Sequence, residues 1–544
     1  MLSYRKLAMR VLGRPLHTEG IDSPRPASQR AAAFVLTAAM LITLAAPAFA
    51  GTWYIENGDI TVKAGETKGT NKVSQGENPE VEDTNTVITN SDKDKASSNT
   101  VTIEAKDKDD KVEVTLKDVN IDTSSRNKAA VSVTGEGDTN IKLDGDNALK
   151  SDIYRSGIYG SGSGSLTISG GENDSLTAQG GSGANGISSS GSVTISGGTV
   201  TANGDDGGRG ISSSGSVTIS GGSTVTANGG SGTISGGDGI WSGGGVTISG
   251  GSTVTANGGN GGSLVGGDGI RSGGGLTVSD GTVTAKGGNG DSKDGYGGDG
   301  IRSGGVVTIS GNTVNAAGGY GGKVGGYGIC SFDRVAISGG TVEAAGGNGS
   351  TGGGSGIYSS VIDLSGSLEL TAKAGSPTGK ALSQKGSELD LDDIKDKLDP
   401  GAKVTATDAN GETKQVSVPR PVEPEKPVIP EESSSSSGGG SAAPSAPASP
   451  LPGLTVTDKD GQRISYTSTQ SGNTLTVCVG RLTASLHVSL AALRQLRAEG
   501  IETITFQTIL CSTTLSVDEL LAMGGEDAEA VLTHRLTDSS LTVG

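Results

Sequence analysis

A recurring Gly-Ile pair is the feature that most limits how this chain can fold. Between residues 157 and 357 the pair occurs eight times, spaced 24 to 31 residues apart, and its glycines are Gly157, Gly186, Gly210, Gly239, Gly269, Gly300, Gly328 and Gly356. Each pair is followed by a short turn and two alternating runs, such as VTIS at 193–196 and TVTA at 199–202. β-Branched residues at period two favour strands, and a fixed repeat indicates a solenoid.

The repeats predict an all-β parallel solenoid with one coil per unit. A single coil buries little, whereas coils stacked about 4.8 Å apart satisfy their backbone groups and align inward Ile and Val in columns. The narrow interior accounts for the 3% aromatic content beside 95 glycines. Crossover sterics favour right-handed coils. Unit length varies between the second run and the next Gly-Ile pair, which predicts a loop face there.

The remaining segments differ in composition and give the domain organisation. Basic residues followed by an apolar run that ends in AFA predict a signal peptide at 1–50, with an uncleaved membrane anchor as the alternative. Residues 51–150 are expected to form an N-terminal β cap and irregular first coils, and 151–417 the glycine-rich coils with a closing cap. A Pro/Ser/Gly-rich linker at 418–452 precedes a small α+β domain of unknown role at 453–544.

Charge and cysteine content restrict the partners and the compartment. A net charge of −17 disfavours nucleic acid and anionic lipid as partners. We expect an extracellular or cell-surface monomer without a transmembrane span after signal cleavage. Three cysteines, Cys330, Cys478 and Cys511, do not make a disulfide framework. Whether Cys478 pairs with Cys511 stays open.

The repeats offer no recognisable catalytic set. The histidines are His17, His487 and His534, all outside the coils, and acids on the repeat strands are sparse. Glycosidases need clustered carboxylates, so we expect no catalytic residues. No metal ligands or cofactor can be assigned, although calcium is an option because acidic runs such as 107–110 occur. A calcium-dependent polysaccharide lyase with an arginine base stays an alternative.

Two columns of polar side chains flank the Gly-Ile pairs. The residues before three of the glycines are aspartates and those after three of the isoleucines are large: Asp238, Asp268, Asp299, Trp241, Arg271 and Arg302. Because coils stack in register, we expect two neighbouring outward columns that could stack a sugar ring on the indole and bind its hydroxyls through charged groups. The alternative is structural, with the aspartates capping turns and pairing with arginines of the next coil while Trp241 fills a gap.

The sequence also resembles a family. GTWYIENGDITV at 51–62, VTLKDVNIDTSSRNKAAVSVTGEGDTNIKLDGDNALKS at 114–151 and the recurring VTISGGTVTA are similar to carbohydrate-binding β-helix domains of secreted clostridial-type (Firmicutes) proteins. The glycine-rich part is also shared with adhesin-like parallel β-helix repeats. The resemblance covers roughly residues 51–375 and implies non-catalytic binding of an extracellular polysaccharide or cell-wall glycan. A structural or adhesive surface protein that serves as adhesin or spacer is the main alternative.

Overall fold

The computed structural model describes residues 50–311, 313–419 and, with gaps, 454–543. The chain divides into two compact units at residues 424/425. The predicted signal segment and almost all of the predicted linker lie outside the described residues and stay predictions. No helix within the described ranges is long and apolar enough to cross a membrane.

The first unit is a β-solenoid of about 13 turns built mostly from parallel strands, which confirms the predicted fold class. Successive coils pair strand by strand, so the unit contains three parallel ladders. The first ladder follows the Gly-Ile pairs, the second contains the VTIS-like runs and the third contains the TVTA-like runs. Two long strands, Ile329–Ala345 and Ile357–Lys373, pass through all three.

The other strands of the ladders have the following bounds. The first ladder contains Ile60–Ala64, Val101–Ala105, Val131–Gly135, Ile158–Gly160, Ile187–Ser189, Ile211–Ser213, Ile240–Ser242, Ile270–Ser272, Ile301–Ser303 and Leu382–Gln384. The second contains Thr52–Tyr54, Val87–Thr89, Lys111–Lys117, Asp138–Asp144, Leu166–Ser169, Val193–Ser196, Val217–Ser220, Val246–Ile248, Leu276–Val278 and Val307–Ile309. The third contains Asn120–Asp122, Asp146–Lys150, Ser175–Ser182, Thr199–Asp205, Thr224–Asn228, Ser252–Asn257, Gly281–Lys286, Thr313–Ala317 and Lys403–Thr407.

Antiparallel strands lie at both ends of the parallel stack. Asn71–Gln75 and Val81–Asp83 pair at the start, next to a 3₁₀ turn at Ile55–Asn57. At the other end Ser387–Glu388 pairs antiparallel with Leu382–Gln384, and Thr413–Ser417 pairs antiparallel with Lys403–Thr407. A 3₁₀ helix at Asp392–Lys397 lies there, within the segment expected to close the solenoid. Covering the end coils removes edges that would otherwise pair with other chains.

The interior of each coil is a short series of aliphatic side chains. In one coil Ile187, Val193, Ile195, Val200 and Ala202 are all 0% exposed. Each is directly in register with an identical residue of the next coil. Burial of each larger side chain contributes about 1.5 to 3 kcal/mol, so stability accumulates coil by coil.

A column of buried serines lies at the turn that follows the first ladder. Ser242 is 0% exposed, and its Oγ donates to the carbonyl of Gly215 in the preceding coil at 2.8 Å and to that of Gly245 at 3.1 Å. The same two bonds occur at Ser213, Ser272 and Ser331, and Ser303 Oγ donates to the carbonyl of Gly274 in the preceding coil at 2.8 Å. These hydroxyls donate hydrogen bonds to carbonyl groups of the turns that are not paired within the strand ladders.

The segments of variable length do not form a simple loop face. Their glycine-rich stems, at 229–237, 258–267, 287–298, 318–326 and 346–354, form an ordered layer of backbone hydrogen bonds, which we call the glycine layer. In it Gly259 N–H donates to Gly237, Gly267 to Gly259 and Gly288 to Gly267, each at 2.8 Å. A Cβ on Gly267 would lie 1.9 Å from the Gly237 carbonyl oxygen. Glycine is therefore required because the backbones touch.

The described residues of the second unit form two four-stranded sheets and two helices. One sheet contains Leu454–Thr457, Ala484–Ser489, Glu529–His534 and Ser539–Val543, and the other Thr467–Ser471, Thr474–Cys478, Thr503–Gln507 and Ser512–Ser516. The helices are α1 (Leu490–Ala498) and α2 (Val517–Met523). Ser489 Oγ accepts from the N–H of Ala492, which confirms Ser489 as the expected helix cap.

Candidate functional site

The large side chains after the Gly-Ile pairs lie in one outward column of the first ladder. Trp241 is directly in register with Arg271, and Arg271 with Arg302. Trp241 is half-buried, and the side chains of Arg271 and Arg302 are 51% and 31% exposed. The structure therefore brings together the three residues whose spacing predicted a column.

The three aspartates are buried, and Asp238 and Asp268 pair with arginines of neighbouring coils, as in the structural alternative, so the expectation that the aspartates form an outward column is wrong. Asp238, Asp268 and Asp299 are 6%, 4% and 1% exposed. The Oδ1 atom of Asp238 accepts from the backbone N–H of Asp268 at 2.9 Å, and that of Asp268 from the N–H of Asp299 at 2.7 Å. Each carboxylate therefore binds the backbone of the next coil, and this contact places the carboxylate away from solvent.

The second oxygen of each aspartate faces an arginine. Asp238 Oδ2 lies 3.2 Å from Nε of Arg209, and Asp268 Oδ2 lies 3.0 Å from Nε of Arg302. Arg302 Nη2 is also 2.9 Å from Asp299 Oδ2, but its N–H does not point at that oxygen, which has no hydrogen-bond donor among the described residues. Arg302 therefore lies beside two buried carboxylates, and its single positive charge can balance only one of them.

Burial changes the acid–base properties of this cluster. It raises the pKa of Asp299 to about 7, and repulsion from the carboxylate of Asp268 adds to the shift. Burial also raises the pKa of Asp268 although Arg302 opposes the shift. The pKa of the Cys330 thiol rises to about 12, first because it is buried and then because Asp299 lies nearby. The thiol of Cys330 is therefore protonated at neutral pH.

Arg209 covers one face of Trp241. The guanidinium carbon of Arg209 lies 4.4 Å from the centroid of the indole ring, within the range of a cation–π contact. A sugar ring can therefore stack only on the part of the indole that Arg209 leaves open. The sequence places Arg209 one coil before Asp238, but the cation–π contact depends on a side-chain direction that spacing does not reveal.

A cleft of about 560 Å³ lies beside this column. Its charged lining is Arg209, Asp238, Asp268, Arg271 and Arg302, and the backbone of the glycine layer forms its other wall. Trp241 and Asp299 are not part of the lining. The guanidinium of Arg271 is the least engaged group in the cleft, because its Nη1 is 4.0 Å from Asp268 Oδ2.

Metal and thiol chemistry is limited in the parts of the chain that the structure describes. No group of three or more His, Cys, Asp or Glu side chains there is arranged to hold a metal ion. Cys330 is a buried free thiol and Cys478 a half-buried one. Cys511 lies outside the described residues, so whether it pairs with Cys478 stays open.

Comparisons of this chain with known protein families, curated proteins and solved structures found no match. The observed solenoid is compatible with a β-helix repeat protein. The resemblance to clostridial carbohydrate-binding domains stays a prediction.

Proposed function

We propose that this chain is a non-catalytic glycan-binding protein of the cell exterior, and that the cleft beside Arg271 holds the glycan. The observation that carries the proposal is the cleft itself, in which half-exposed guanidinium groups stand over buried carboxylates. Such a wall can donate several hydrogen bonds to hydroxyl or acidic oxygens of a sugar.

The charged groups of the cleft have separate roles in this proposal. Asp238 and Asp268 hold neighbouring coils together and keep Arg209 and Arg302 in fixed positions. Arg271 can engage a ligand, since the one carboxylate within ion-pair distance of it among the described residues is Asp268, at 4.0 Å. A preorganised wall with one adaptable cation binds with little loss of side-chain freedom.

Affinity electrophoresis of the purified full chain tests the proposal. The gels contain neutral or acidic polysaccharides and are run with calcium and with a chelator, so that a calcium-dependent interaction is recognised. We expect retardation by at least one glycan, and Arg271→Gln is expected to weaken it about tenfold through loss of charge-assisted hydrogen bonds. Lys286→Gln, which removes an exposed cation from the third ladder, is the matched control. Mobility that no glycan changes contradicts the proposal.

One observation favours a second candidate, a structural or adhesive spacer. The carboxylates of Asp238, Asp268 and Asp299 each accept a backbone N–H of the next coil, so the charged column also serves the stack. A spacer predicts that substitutions in this column lower the melting temperature while no glycan alters the mobility of the wild-type chain. These two measurements separate the candidates.

A further inference from the structure

A second cleft, of about 300 Å³, lies on earlier coils of the first ladder. Tyr159, Ser132 and Thr102 line it with outward side chains that are directly in register. Its polar lining also contains Thr100, Asn127, Arg155 and Lys128, and Lys128 is paired with Asp59 at 2.9 Å. Tyr159 is 45% exposed, so its ring is available as a stacking surface.

The second cleft belongs to the same column of side chains as the first. Tyr159 is in register with Ser188, Ser188 with Ser212 and Ser212 with Trp241. Two serines, Ser188 and Ser212, separate the aromatic residues along this column, and the guanidinium of Arg209 lies over Ser212, donating to its Oγ at 3.5 Å.

The two clefts lie on adjoining coils. Arg155 and Tyr159 belong to the coil that directly precedes the coil of Asn185, which lines the first cleft. Gly157 N–H donates to the Asn185 carbonyl at 3.3 Å, so the two coils are hydrogen-bonded at this point. From the coil of Thr102 to the coil of Arg302 there are seven strand spacings, about 34 Å.

Two weakly engaged cations, Arg155 and Arg271, lie on coils within this span. Arg155 is exposed, its Nε donates to Asn127 Oδ1 at 3.3 Å, and among the described residues no carboxylate lies within ion-pair distance of it. Arg271 is the corresponding weakly engaged cation in the first cleft. The two residues lie on coils four strand spacings apart, about 19 Å.

We propose that the two clefts form one groove that binds a linear acidic glycan parallel to the solenoid axis, with Arg155 and Tyr159 as a second subsite. The inference rests on the proposed function and adds the ligand class and its direction. Guanidinium groups bind carboxylate or sulfate oxygens in a bidentate manner. A chain that reaches both subsites gains affinity because the second contact is intramolecular.

The acidic surface of the rest of the chain does not oppose this binding at physiological salt. At about 0.15 M ionic strength the screening length is about 8 Å, which is short compared with the groove. In the groove the aspartates are buried and paired with arginines, whereas Arg155 and Arg271 face solvent. A ligand therefore meets exposed cations in both clefts, beside the exposed carboxylates of Asp205 and Asp206 next to Gly207.

Titration of the full chain with glycans of graded length tests the inference. The probes are alginate, hyaluronan, polygalacturonate and chondroitin sulfate, their oligosaccharides, and carboxyl-reduced alginate. We expect acidic polymers to bind, and Arg155→Gln and Arg271→Gln each to weaken polymer binding about tenfold. An oligosaccharide too short to reach both clefts can bind at either one, so it is expected still to bind each single variant. The double variant Arg155→Gln/Arg271→Gln is expected not to bind it. Lys286→Gln is the matched loss of a cation, and equal melting temperatures confirm that each variant folds.

The outcomes separate the inference from the proposed function. Binding of neutral glycans alone, or polymer binding that depends on Arg271 but is unchanged in Arg155→Gln and Tyr159→Ala, overturns the extended acidic groove and leaves glycan binding in place. Absence of binding to every neutral and acidic glycan overturns the proposed function itself.

Discussion

Replacement of Asp268 by alanine is expected to open the solenoid locally at the cleft. Asp268 Oδ1 accepts the N–H of Asp299 at 2.7 Å, and both residues are almost fully buried. Alanine leaves that buried N–H without a partner, which costs about 1 to 3 kcal/mol. It also removes the 3.0 Å pair with Arg302, although Asp299 remains beside that arginine.

The expected loss is therefore about 2 to 3 kcal/mol, since the Arg302 side chain is 31% exposed and its pairing contributes only part of the total. Asp268→Asn is the matched control. It keeps an oxygen that accepts the Asp299 N–H and loses only the charge, so we expect a cost of about 1 kcal/mol. Removing the charge also removes a cause of the raised pKa of Asp299, which is expected to fall.

Hydrogen exchange measured by mass spectrometry localises the effect. A local destabilisation of about 2 kcal/mol speeds exchange of the Asp299 amide about 30-fold, while amides of the earlier coils keep their wild-type rates. Equal protection in wild type, alanine and asparagine variants would refute the role of the Oδ1 hydrogen bond. Equal loss in the two variants would assign the stability to the ion pair with Arg302 instead.

Three other perturbations give independent expectations. Gly267→Ala places a Cβ 1.9 Å from the Gly237 carbonyl oxygen, so we expect a lower melting temperature and a decrease of about 1 to 3 kcal/mol or more in the free energy of unfolding. Gly352→Ala is the control, because its Cβ meets no atom closer than 3.5 Å, and it is expected to melt like wild type. His534 is buried and burial lowers its pKa, so the second unit should be fully stable above the unfolded-state pKa of about 6.5 and lose stability as the pH falls below that value. Thermal melts of the full chain and of His534→Gln at several pH values check this, and an equal pH dependence of the two melting temperatures would contradict it. The Cys330 thiol is buried with a pKa of about 12, so iodoacetamide at neutral pH should label it only after denaturation, and mass spectrometry of labelled peptides detects any reaction in the folded chain.

The ladders could be predicted from the sequence because period-two alternation and a fixed repeat determine both the strands and their register. Trp241, Arg271 and Arg302 occupy equivalent positions in successive units, so stacking in register places them in one column. The same reasoning applies to α1, since Ser489 is a local signal that needs only its own backbone.

The burial of the aspartates could not be predicted in the same way. Whether Asp268 faces solvent depends on the path of the glycine-rich segment before it and on the N–H of the next coil, and both are tertiary features. The contact of Arg209 with Trp241 depends likewise on side-chain direction. The glycine layer was missed because variable length is typical of loops, while its hydrogen bonds join segments of different coils.

The arrangement of the column explains how one set of residues serves both stability and binding. In a parallel solenoid each position recurs once per strand spacing. Side chains that hold neighbouring coils together therefore form a regular column, and a ligand that lies along the axis contacts successive members of that column. Asp268 uses one oxygen for the backbone of the next coil and the other for Arg302, and Arg302 is thereby fixed at the edge of the cleft. Arg271 lies between the coils of Trp241 and Arg302 but lacks a close carboxylate, so a change at Arg271 should affect the ligand more than the fold.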